Sequence, residues 1–184
     1  MPKSTNILKA CLNGDARAQG RFYEMYADRL YGICLRYAND EDEAKDILQE
    51  GFIKIFEKLK QYSNKGSLEG WMRKIIVNTA LERIRRENRF MLVEDDTFME
   101  YDRYRYEHIL EELGEKDLLE MIQELSPQYR MVFNLYAIEG YSHKEISQML
   151  NISEGTSKSN LSRARDLLKY KIELYYNIKI SQVI

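Results

Sequence analysis

Apolar side chains recur every three or four residues along most of the chain, and this spacing predicts a succession of amphipathic helices. Leu48, Phe52 and Ile55, for example, share one side of a single such helix. The predicted helices cover about residues 2–12, 16–38, 41–59, 68–90, 106–114, 117–124, 127–138, 142–150 and 154–176. Only nine Gly and two Pro occur among 184 residues, which disfavours a turn-rich all-β protein. The pattern therefore predicts an all-α fold.

Residues 141–165 are expected to form two short helices joined by a tight turn. Ser142 can cap the first helix, and Glu145 three residues later completes a capping box. Asn151 tolerates the left-handed backbone that a helix end needs, and Ser153 can cap the second helix. This layout is typical of a helix-turn-helix that binds DNA.

The second helix of this pair has an apolar and a polar side. The apolar side is expected to pack against the first helix and consists of Leu161, Ala164, Leu168 and Ile172. The opposite side consists of Gly155, Lys158, Ser159, Ser162, Arg163 and Asp166. Lys and Arg can donate to guanine in the major groove, and Ser can bind phosphate or base. A solvated helical hairpin with an ordinary charged face shows the same pattern, so both interpretations stay open at this point.

The helix expected at 41–59 has an acidic polar side. Asp46, Gln49 and Glu50 cluster there, and Ile53 lies among them. Such a side is either an ordinary solvated face or a docking surface for a basic partner helix. The pattern alone does not decide between these two interpretations.

The helix expected at 68–90 follows a polar loop and can be capped by Ser67. One side, with Ile76, Ala80 and Ile84, is expected to be buried. The other side collects Trp71, Ile75, Asn78, Glu82, Arg85 and Arg89, with Arg86 alongside. Aromatic and guanidinium groups on one exposed face can stack on bases and bind phosphates. The alternative is that the tryptophan belongs to the core and the arginines only solubilise the helix.

Charge is unevenly distributed along the chain, although the net charge is only −2. Residues 1–93 contain 17 Lys or Arg and 13 Asp or Glu, residues 94–124 contain 3 and 12, and residues 125–184 contain 8 and 5. Two mildly basic parts are thus separated by an acidic segment. This predicts domains at 1–93 and 117–184, joined by an acidic linker at 94–116. The near-neutral total argues against a protein that coats DNA by itself.

Several other classes of protein find little support. Cys11 and Cys34 lack CxxC spacing and are expected to be buried free thiols in a reducing cytoplasm. His108 and His143 lie far apart without nearby Cys ligands, so no zinc site is expected. The chain has no apolar run long enough to span a membrane, and its first residues are too polar for a signal peptide. It has no visible catalytic constellation or phosphate loop, so neither an enzyme nor a cofactor is expected.

Three stretches, taken in order, make the chain similar to the extracytoplasmic-function sigma factors of bacterial RNA polymerase. They are DEAKDILQEGFIKIFEKL (42–59), GSLEGWMRKIIVNTALERIRREN (66–88) and LSPQYRMVFNLYAIEGYSHKEISQMLNISEGTSKSNLSRAR (125–165). They resemble, respectively, the family's polymerase-docking helix, its promoter-melting and −10-recognising helix, and its −35-recognising domain. The resemblance implies two small helical domains, of which the second is a four-helix helix-turn-helix domain.

The resemblance also implies roles for individual positions. Core polymerase would be bound by Asp46, Gln49, Glu50 and Ile53. The −10 element would be bound by Tyr62, Asn64, Lys65, Trp71, Asn78, Arg85, Arg86 and Arg89. The −35 element would be bound by Gly155, Thr156, Lys158, Ser159, Ser162 and Arg163.

The function implied by the resemblance is promoter-specific initiation of transcription, without catalysis by this chain. Its partners would be core RNA polymerase, promoter DNA and an anti-sigma factor that holds the protein inactive. The alternative is a stand-alone helix-turn-helix regulator, in which residues 1–93 bind a ligand or dimerise.

Three positions depart from the family's pattern. Glu82 stands where many members carry Asp, Lys158 where Arg is frequent, and Ser157 where an apolar residue is usual. Lys binds guanine less rigidly than Arg. The departures therefore bear on which promoter is recognised rather than on the fold.

Overall fold

The computed structural model describes residues 2–63, 65–86 and 114–181, and every regular element within these ranges is helical. The helices are α1 (Pro2–Leu12), α2 (Ala16–Tyr37), α3 (Glu41–Lys58), α4 (Leu68–Arg86), α5 (Glu115–Gln123), α6 (Pro127–Phe133), α7 (His143–Leu150) and α8 (Glu154–Ser181). A 3₁₀ turn at Leu59–Gln61 follows α3, and a π-helical turn at Asn134–Ile138 follows α6. The prediction of an all-α fold is confirmed.

The chain divides into two compact units, Met1–Glu87 and Asn88–Ile184. The first unit contains α1 to α4, and the second contains α5 to α8. The acidic linker expected at 94–116 lies outside the described residues except for its last three positions. The exact domain boundaries therefore stay a prediction.

Three helices of the first unit begin directly after residues whose side chains cap them, and the cap at Ser67 was expected from the sequence. The carboxylate of Asp15 accepts hydrogen bonds from two backbone N–H groups in the first turn of α2, at 2.8 and 3.1 Å. Asp40 accepts one from the first turn of α3 at 2.7 Å, and the hydroxyl of Ser67 accepts one from α4 at 3.0 Å. These N–H groups have no carbonyl partner within their own helix, so each cap satisfies a group that would otherwise depend on water.

Helix α4 packs against both α2 and α3. Its buried positions consequently extend around more than half of the helix and comprise Met72, Ile75, Ile76, Val77, Thr79, Ala80, Leu81 and Ile84. The sequence placed Ile75 on the exposed side, and this was wrong. Its side chain is only 9% exposed, since α4 has two helical neighbours rather than one.

Helix α8 organises the second unit by packing against α5, α6 and α7. Ala164 and Leu168 of α8 lie in a buried cluster completed by residues of α5, α6 and the turn between them, namely Met121, Ile122, Leu125 and Tyr129. The sequence predicted that this apolar side packs against α7. Helix α7 does contribute the buried side chains Ile146 and Leu150, but the cluster around Ala164 and Leu168 is formed with α5 and α6.

The helix expected at 127–138 changes its geometry halfway along. It is α-helical only to Phe133 and then widens into a π-helical turn, in which the N–H of Glu139 donates to the carbonyl of Asn134 at 2.9 Å. A π turn contains one more residue than an α-helical turn. It therefore changes the direction in which the following side chains point.

Two further helix ends differ from expectation or cannot be compared. Helix α8 continues to Ser181, beyond the expected end near residue 176. Helix α4 is described to Arg86, so the predicted continuation to residue 90 lies outside the described residues. The helix expected at 106–114 also falls outside them, apart from its final residue.

Gly51 is expected to be essential for the contact between α3 and α4. A Cβ at this position would clash with Cδ1 of Ile76, whose side chain is fully buried. Overpacking typically costs about 1–3 kcal/mol, whereas replacing a helical Gly by Ala gains only about 0.5–1 kcal/mol. We therefore expect Gly51→Ala to lower the free energy of unfolding by about 1 kcal/mol, measured by urea denaturation of the full chain.

Gly20 of α2 provides a matched control, because a Cβ there would meet nothing within 4 Å. Gly20→Ala should therefore stabilise the protein. Adding Ile76→Val to Gly51→Ala removes the clashing methyl group and should recover part of the loss. Unchanged stability in Gly51→Ala alone would contradict the importance of this contact.

Candidate polymerase and nucleic-acid interfaces

The acidic face of α3 consists of Asp46, Gln49, Glu50 and Ile53. Gln49 and Glu50 are adjacent, and each lies three or four residues from both Asp46 and Ile53, so the four share one side of the helix. Asp46 and Gln49 are exposed, and Glu50 is half-buried. The side chain of Ile53 is 59% exposed. The face thus combines negative charge with one exposed apolar side chain. Protein–protein interfaces combine an apolar core with a polar rim in the same way.

Asp46 is held by an arginine of the neighbouring helix. The Nη2 atom of Arg83, on α4, donates to Oδ2 of Asp46 at 2.9 Å. The Nε atom of the same arginine lies 3.7 Å from Oε1 of Glu43. The side chains of Arg83 and Glu43 are only 20% and 6% exposed, so this end of the arrangement is largely shielded from solvent.

Glu50 is paired in a similar way through Lys54. The Nζ atom of Lys54 lies 2.9 Å from Oε1 of Glu50 and 2.7 Å from Oε2 of Glu82, on α4. Arg86 of α4 approaches Oε2 of Glu50 at 4.0 Å. Burial by itself would lower the pKa of Lys54, but the hydrogen bonds to Glu82 and Glu50 outweigh it and raise this pKa.

Together these groups form a charge ladder between α3 and α4, composed of Glu43, Asp46, Glu50, Lys54, Glu82, Arg83 and Arg86. Each exposed pair contributes only about 0–1 kcal/mol to stability. The main effect of the ladder is orientation, because it fixes two carboxylates of the acidic face relative to α4. The sequence did not predict this pairing.

The loop before α4 is closed by its own hydrogen bonds and rings. The hydroxyl of Tyr62 donates to the carbonyl of Gly66 at 2.8 Å, and the ring of Tyr62 lies 5.6 Å from that of Trp71. Gly66 has φ +105°, a conformation that side-chain-bearing residues rarely adopt. Lys65 is exposed on this loop. The structure therefore brings the rings of Tyr62 and Trp71 together, and Lys65 lies on the same loop. Asn64 lies outside the described residues.

The exposed stripe of α4 continues from this loop. Trp71, Asn78 and Arg85 are separated by seven residues each and therefore lie on one side of the helix. Trp71 is half-buried, whereas Asn78 and Arg85 are exposed. Arg86 is exposed next to them and also belongs to the charge ladder. Arg89, the remaining residue of the predicted −10 set, lies outside the described residues.

The helix-turn-helix has the predicted local geometry. Both hydrogen bonds of the capping box are present, with the hydroxyl of Ser142 accepting from the backbone of Glu145 and the carboxylate of Glu145 accepting from the backbone of Ser142. Asn151 ends α7 with φ 54° and ψ 47°, in the left-handed region. Ser153 then accepts from the backbone N–H of Thr156 at 2.9 Å. These local contacts fix the turn that separates α7 from α8.

The predicted −35 set occupies the first three turns of α8. Five of its six members are exposed, namely Gly155, Thr156, Lys158, Ser159 and Ser162. The hydroxyl of Thr156 lies 2.9 Å from that of Ser153, and the hydroxyl of Ser159 donates to the carbonyl of Thr156 at 3.0 Å. Of the two cationic residues in the set, Lys158 is the more exposed and can donate to a ligand.

Arg163, the sixth member of the −35 set, lies on the flank of α8. It is half-buried, and its Nη1 atom donates to the hydroxyl of Tyr129 on α6 at 3.3 Å. The predicted set omitted Arg165, which is exposed and lies over the ring of Tyr136 at 5.6 Å from its centroid. Arg165 follows Lys158 by seven residues, so helical spacing already indicated that both share one side.

A partly buried polar contact joins the first turns of α7 and α8. Nδ1 of His143 lies 2.9 Å from the hydroxyl of Ser157, which is completely buried. The ring of Tyr136 stacks on the imidazole with centroids 4.5 Å apart and planes at 23°. Burial lowers the pKa of His143. The positive charges of Lys158 and Arg165 lower this pKa further, whereas the negative charge of Glu154 raises it.

The described part of the chain contains no cluster of His, Cys, Asp and Glu suited to holding a metal ion. Within the same ranges, no helix combines the length and the apolar character needed to cross a membrane. Both cysteines are free and buried, as expected, and burial raises the pKa of Cys34 to about 12.

Family comparisons assign each unit separately. Residues 22–90 match the family described as Sigma-70 region 2, and residues 115–168 match Sigma-70, region 4. The first match lies essentially within α2 to α4, and the second extends from α5 into α8. The architecture is therefore that of the Sigma-70 class.

Individual relatives narrow this class. The chain is 32% identical over 178 residues to the ECF RNA polymerase sigma factor SigE of Mycolicibacterium smegmatis, covering 91% of this chain and 67% of the relative. It is 26% identical over 176 residues to the ECF RNA polymerase sigma factor SigW of Bacillus subtilis, covering 90% of this chain and 94% of the relative. The chain belongs to the extracytoplasmic-function (ECF) family of RNA polymerase sigma factors, which confirms the resemblance found in the sequence.

A solved structure shares this fold. The sigma factor RpoE of Bartonella quintana, crystallised with the anti-sigma factor NepR, is similar with a TM-score of 0.52 and 21% identity. The similarity covers 84% of this chain and 96% of that chain.

We expect acid to destabilise the second unit through His143. The pKa of this histidine is below its ordinary value of 6.5 in the folded protein. Its contribution to stability is therefore complete above that pH and is lost as the pH falls through the folded pKa. Thermal denaturation of the full chain between about pH 7.5 and about pH 5.5 should show a larger loss for the wild type than for His143→Phe. Equal losses in the two proteins would contradict this assignment.

Proposed function

We propose that this chain directs promoter-specific initiation of transcription by binding core RNA polymerase and recognising the −10 and −35 elements. The observation that carries this proposal is the presence of regions 2 and 4, in order, within one chain. Each region carries an exposed face whose chemistry suits its partner. Its relatives SigE and SigW are named RNA polymerase sigma factors.

The acidic face of α3 is the proposed docking surface for core polymerase. Asp46, Gln49 and Glu50 would face a basic partner helix, and Ile53 would supply the apolar contact. Because Arg83 and Lys54 already orient the two carboxylates, less side-chain entropy is lost when the partner binds.

The loop and exposed stripe of α4 are the proposed −10 site. Its members are Tyr62, Asn64, Lys65, Trp71, Asn78, Arg85, Arg86 and Arg89. A base extruded from the duplex needs a pocket that replaces the lost stacking and recognises the base edge. The aromatic rings next to an exposed amide fit this need, while the arginines farther along α4 would bind phosphates.

The first turns of α8 are the proposed −35 site, formed by Gly155, Thr156, Lys158, Ser159, Ser162 and Arg163. We add Arg165, since stacking on Tyr136 restrains its guanidinium while leaving it exposed. A restrained guanidinium loses less entropy when it binds a phosphate.

The two sites would act together. Each has few basic residues, which fits weak binding to DNA by either site alone. Domains at 1–93 and 117–184, joined by a linker at 94–116, would raise the effective concentration of one site once the other is bound.

The proposed role needs no catalytic group or cofactor in this chain, because polymerase performs the chemistry. It places the protein in the cytoplasm, together with polymerase and promoter DNA. RpoE of B. quintana was solved with the anti-sigma factor NepR, and we propose an inhibitor of the same kind for this chain. A stand-alone helix-turn-helix regulator is not favoured, because it would have no use for region 2.

Run-off transcription with purified core polymerase on a promoter library tests the proposal. Specific transcripts should appear only when both the core enzyme and this chain are present. If the protein instead bound duplex DNA tightly by itself and failed to bind core polymerase, the stand-alone regulator would be the correct assignment.

Lys158→Ala should weaken recognition of the −35 element about tenfold, because it removes one basic donor to base or phosphate. Promoter binding by the complete polymerase complex is the measurement, with −35 and −10 substitutions compared separately. Core binding should not change. Lys116→Ala, an exposed lysine of α5, is the matched control and should behave as the wild type. An equal loss of core binding in Lys158→Ala would indicate a folding defect instead.

Gln49→Lys should weaken core binding about tenfold, because it places a positive charge on the acidic face without removing any pair of the charge ladder. Gln61→Lys makes the same charge change at an exposed position of the same unit. It should leave core affinity unchanged. Affinity is measured with purified core polymerase in the absence of DNA. Wild-type affinity for Gln49→Lys would exclude this face as the docking surface.

A further inference from the structure

Ser157 is a polar residue in a fully buried position of α8. Its hydroxyl is not left without a partner, because it lies 2.9 Å from Nδ1 of His143 at the start of α7. A hydrogen bond is directional, whereas apolar packing tolerates small rotations and shifts. Ser157 is fully buried and His143 is half-buried, so the bond lies in a lower dielectric than bulk water, which strengthens it.

Stacked side chains extend this contact to a third element. Tyr136, in the π-helical turn, stacks on His143, and Arg165 of α8 lies over the Tyr136 ring at 5.6 Å from its centroid. The series of Arg165, Tyr136, His143 and Ser157 thus begins and ends on α8. It connects two points of that helix, eight residues apart, through α7 and the turn before it.

We propose that the hydrogen bond between His143 and Ser157 positions the first turns of α8 for recognition of the −35 element. The proposal rests on the function proposed above. His143 and Ser157 act as positioning residues and do not touch DNA themselves.

The position of the Ser157 side chain matters for the −35 site because of the residues on either side of it in the sequence. Thr156 precedes it and Lys158 follows it, and both belong to the proposed −35 site. Consecutive residues differ by about 100° around a helix. A rotation of α8 that moves the buried hydroxyl of Ser157 would therefore also move Thr156 and Lys158 relative to the groove of the −35 DNA. Fixing one buried atom therefore fixes the direction of the exposed side chains beside it.

Three variants separate the hydrogen bond from the packing around it. His143→Phe keeps a ring for Tyr136 to stack on but removes the nitrogen. Ser157→Ala removes the hydroxyl, and the double variant removes both. His143→Asn is added as the conservative variant, since its amide can hydrogen-bond near the position of Nδ1.

The measurement is selection from promoter pools randomised separately at the −35 and −10 elements, using core polymerase with each full-length variant. The loss of one hydrogen bond predicts a threefold to about tenfold loss of −35 discrimination in each single variant. The double variant should lose no more than either single one, because the same bond is absent in all three. His143→Asn should retain most of the discrimination. Selection at the −10 element should be unchanged throughout and serves as the check that each variant is folded and bound to polymerase.

Ser126→Ala is the matched control within the same unit, since the buried hydroxyl of Ser126 has no hydrogen-bond partner among the described residues. It should select promoters as the wild type does. Variants that lose thermal stability while keeping −35 discrimination would assign the bond a structural role only and overturn the positioning role. The positioning role is overturned as well if the double variant multiplies the losses of the single ones. A wild-type complex that selects neither element would overturn the proposed function too, which distinguishes the two failures.

Discussion

The packing of α4 against both α2 and α3 is the constraint on which the two proposed surfaces of the first unit depend. A helix with two neighbours has only a narrow side left for solvent, and on α4 that side carries Trp71, Asn78 and Arg85. The edges of the same helix carry the cations that reach the carboxylates of α3. One buried helix therefore fixes both the proposed DNA-binding stripe and the orientation of the proposed docking surface. Helix α8 has the corresponding position in the second unit.

Much of the fold could be predicted because it depends on local interactions. Asp15, Asp40, Ser67 and Ser142 each satisfy backbone groups within a few residues, so sequence alone locates the helix starts. The left-handed residue Asn151 is equally local. The candidate faces of α3 and α8 followed from helical periodicity for the same reason, since it needs no knowledge of the neighbouring helices.

The errors have a common origin in contacts between distant residues. Ile75 was misplaced because helical spacing alone does not reveal a second packing partner. The half-buried setting of Arg163 depends likewise on its contact with Tyr129 of α6, 34 residues away in the chain. The bond between His143 and Ser157 spans 14 residues, and the only signal in the sequence was an unexpected serine. The individual roles of the −10, −35 and docking residues came from family resemblance and stay proposals.

The charge ladder has a consequence for the evolution and engineering of sigma factors. Asp46 and Glu50 of α3 pair with Arg83 and Arg86 of α4. Selection that changes the proposed docking surface on α3 therefore also acts on α4, which carries the proposed −10 site. The two helices should then diverge as a co-varying pair. A chimaera that takes α3 from one relative and α4 from another would combine unmatched charges. Residues 41–86 span α3 and α4, so exchanging them as one segment would keep the whole charge ladder together.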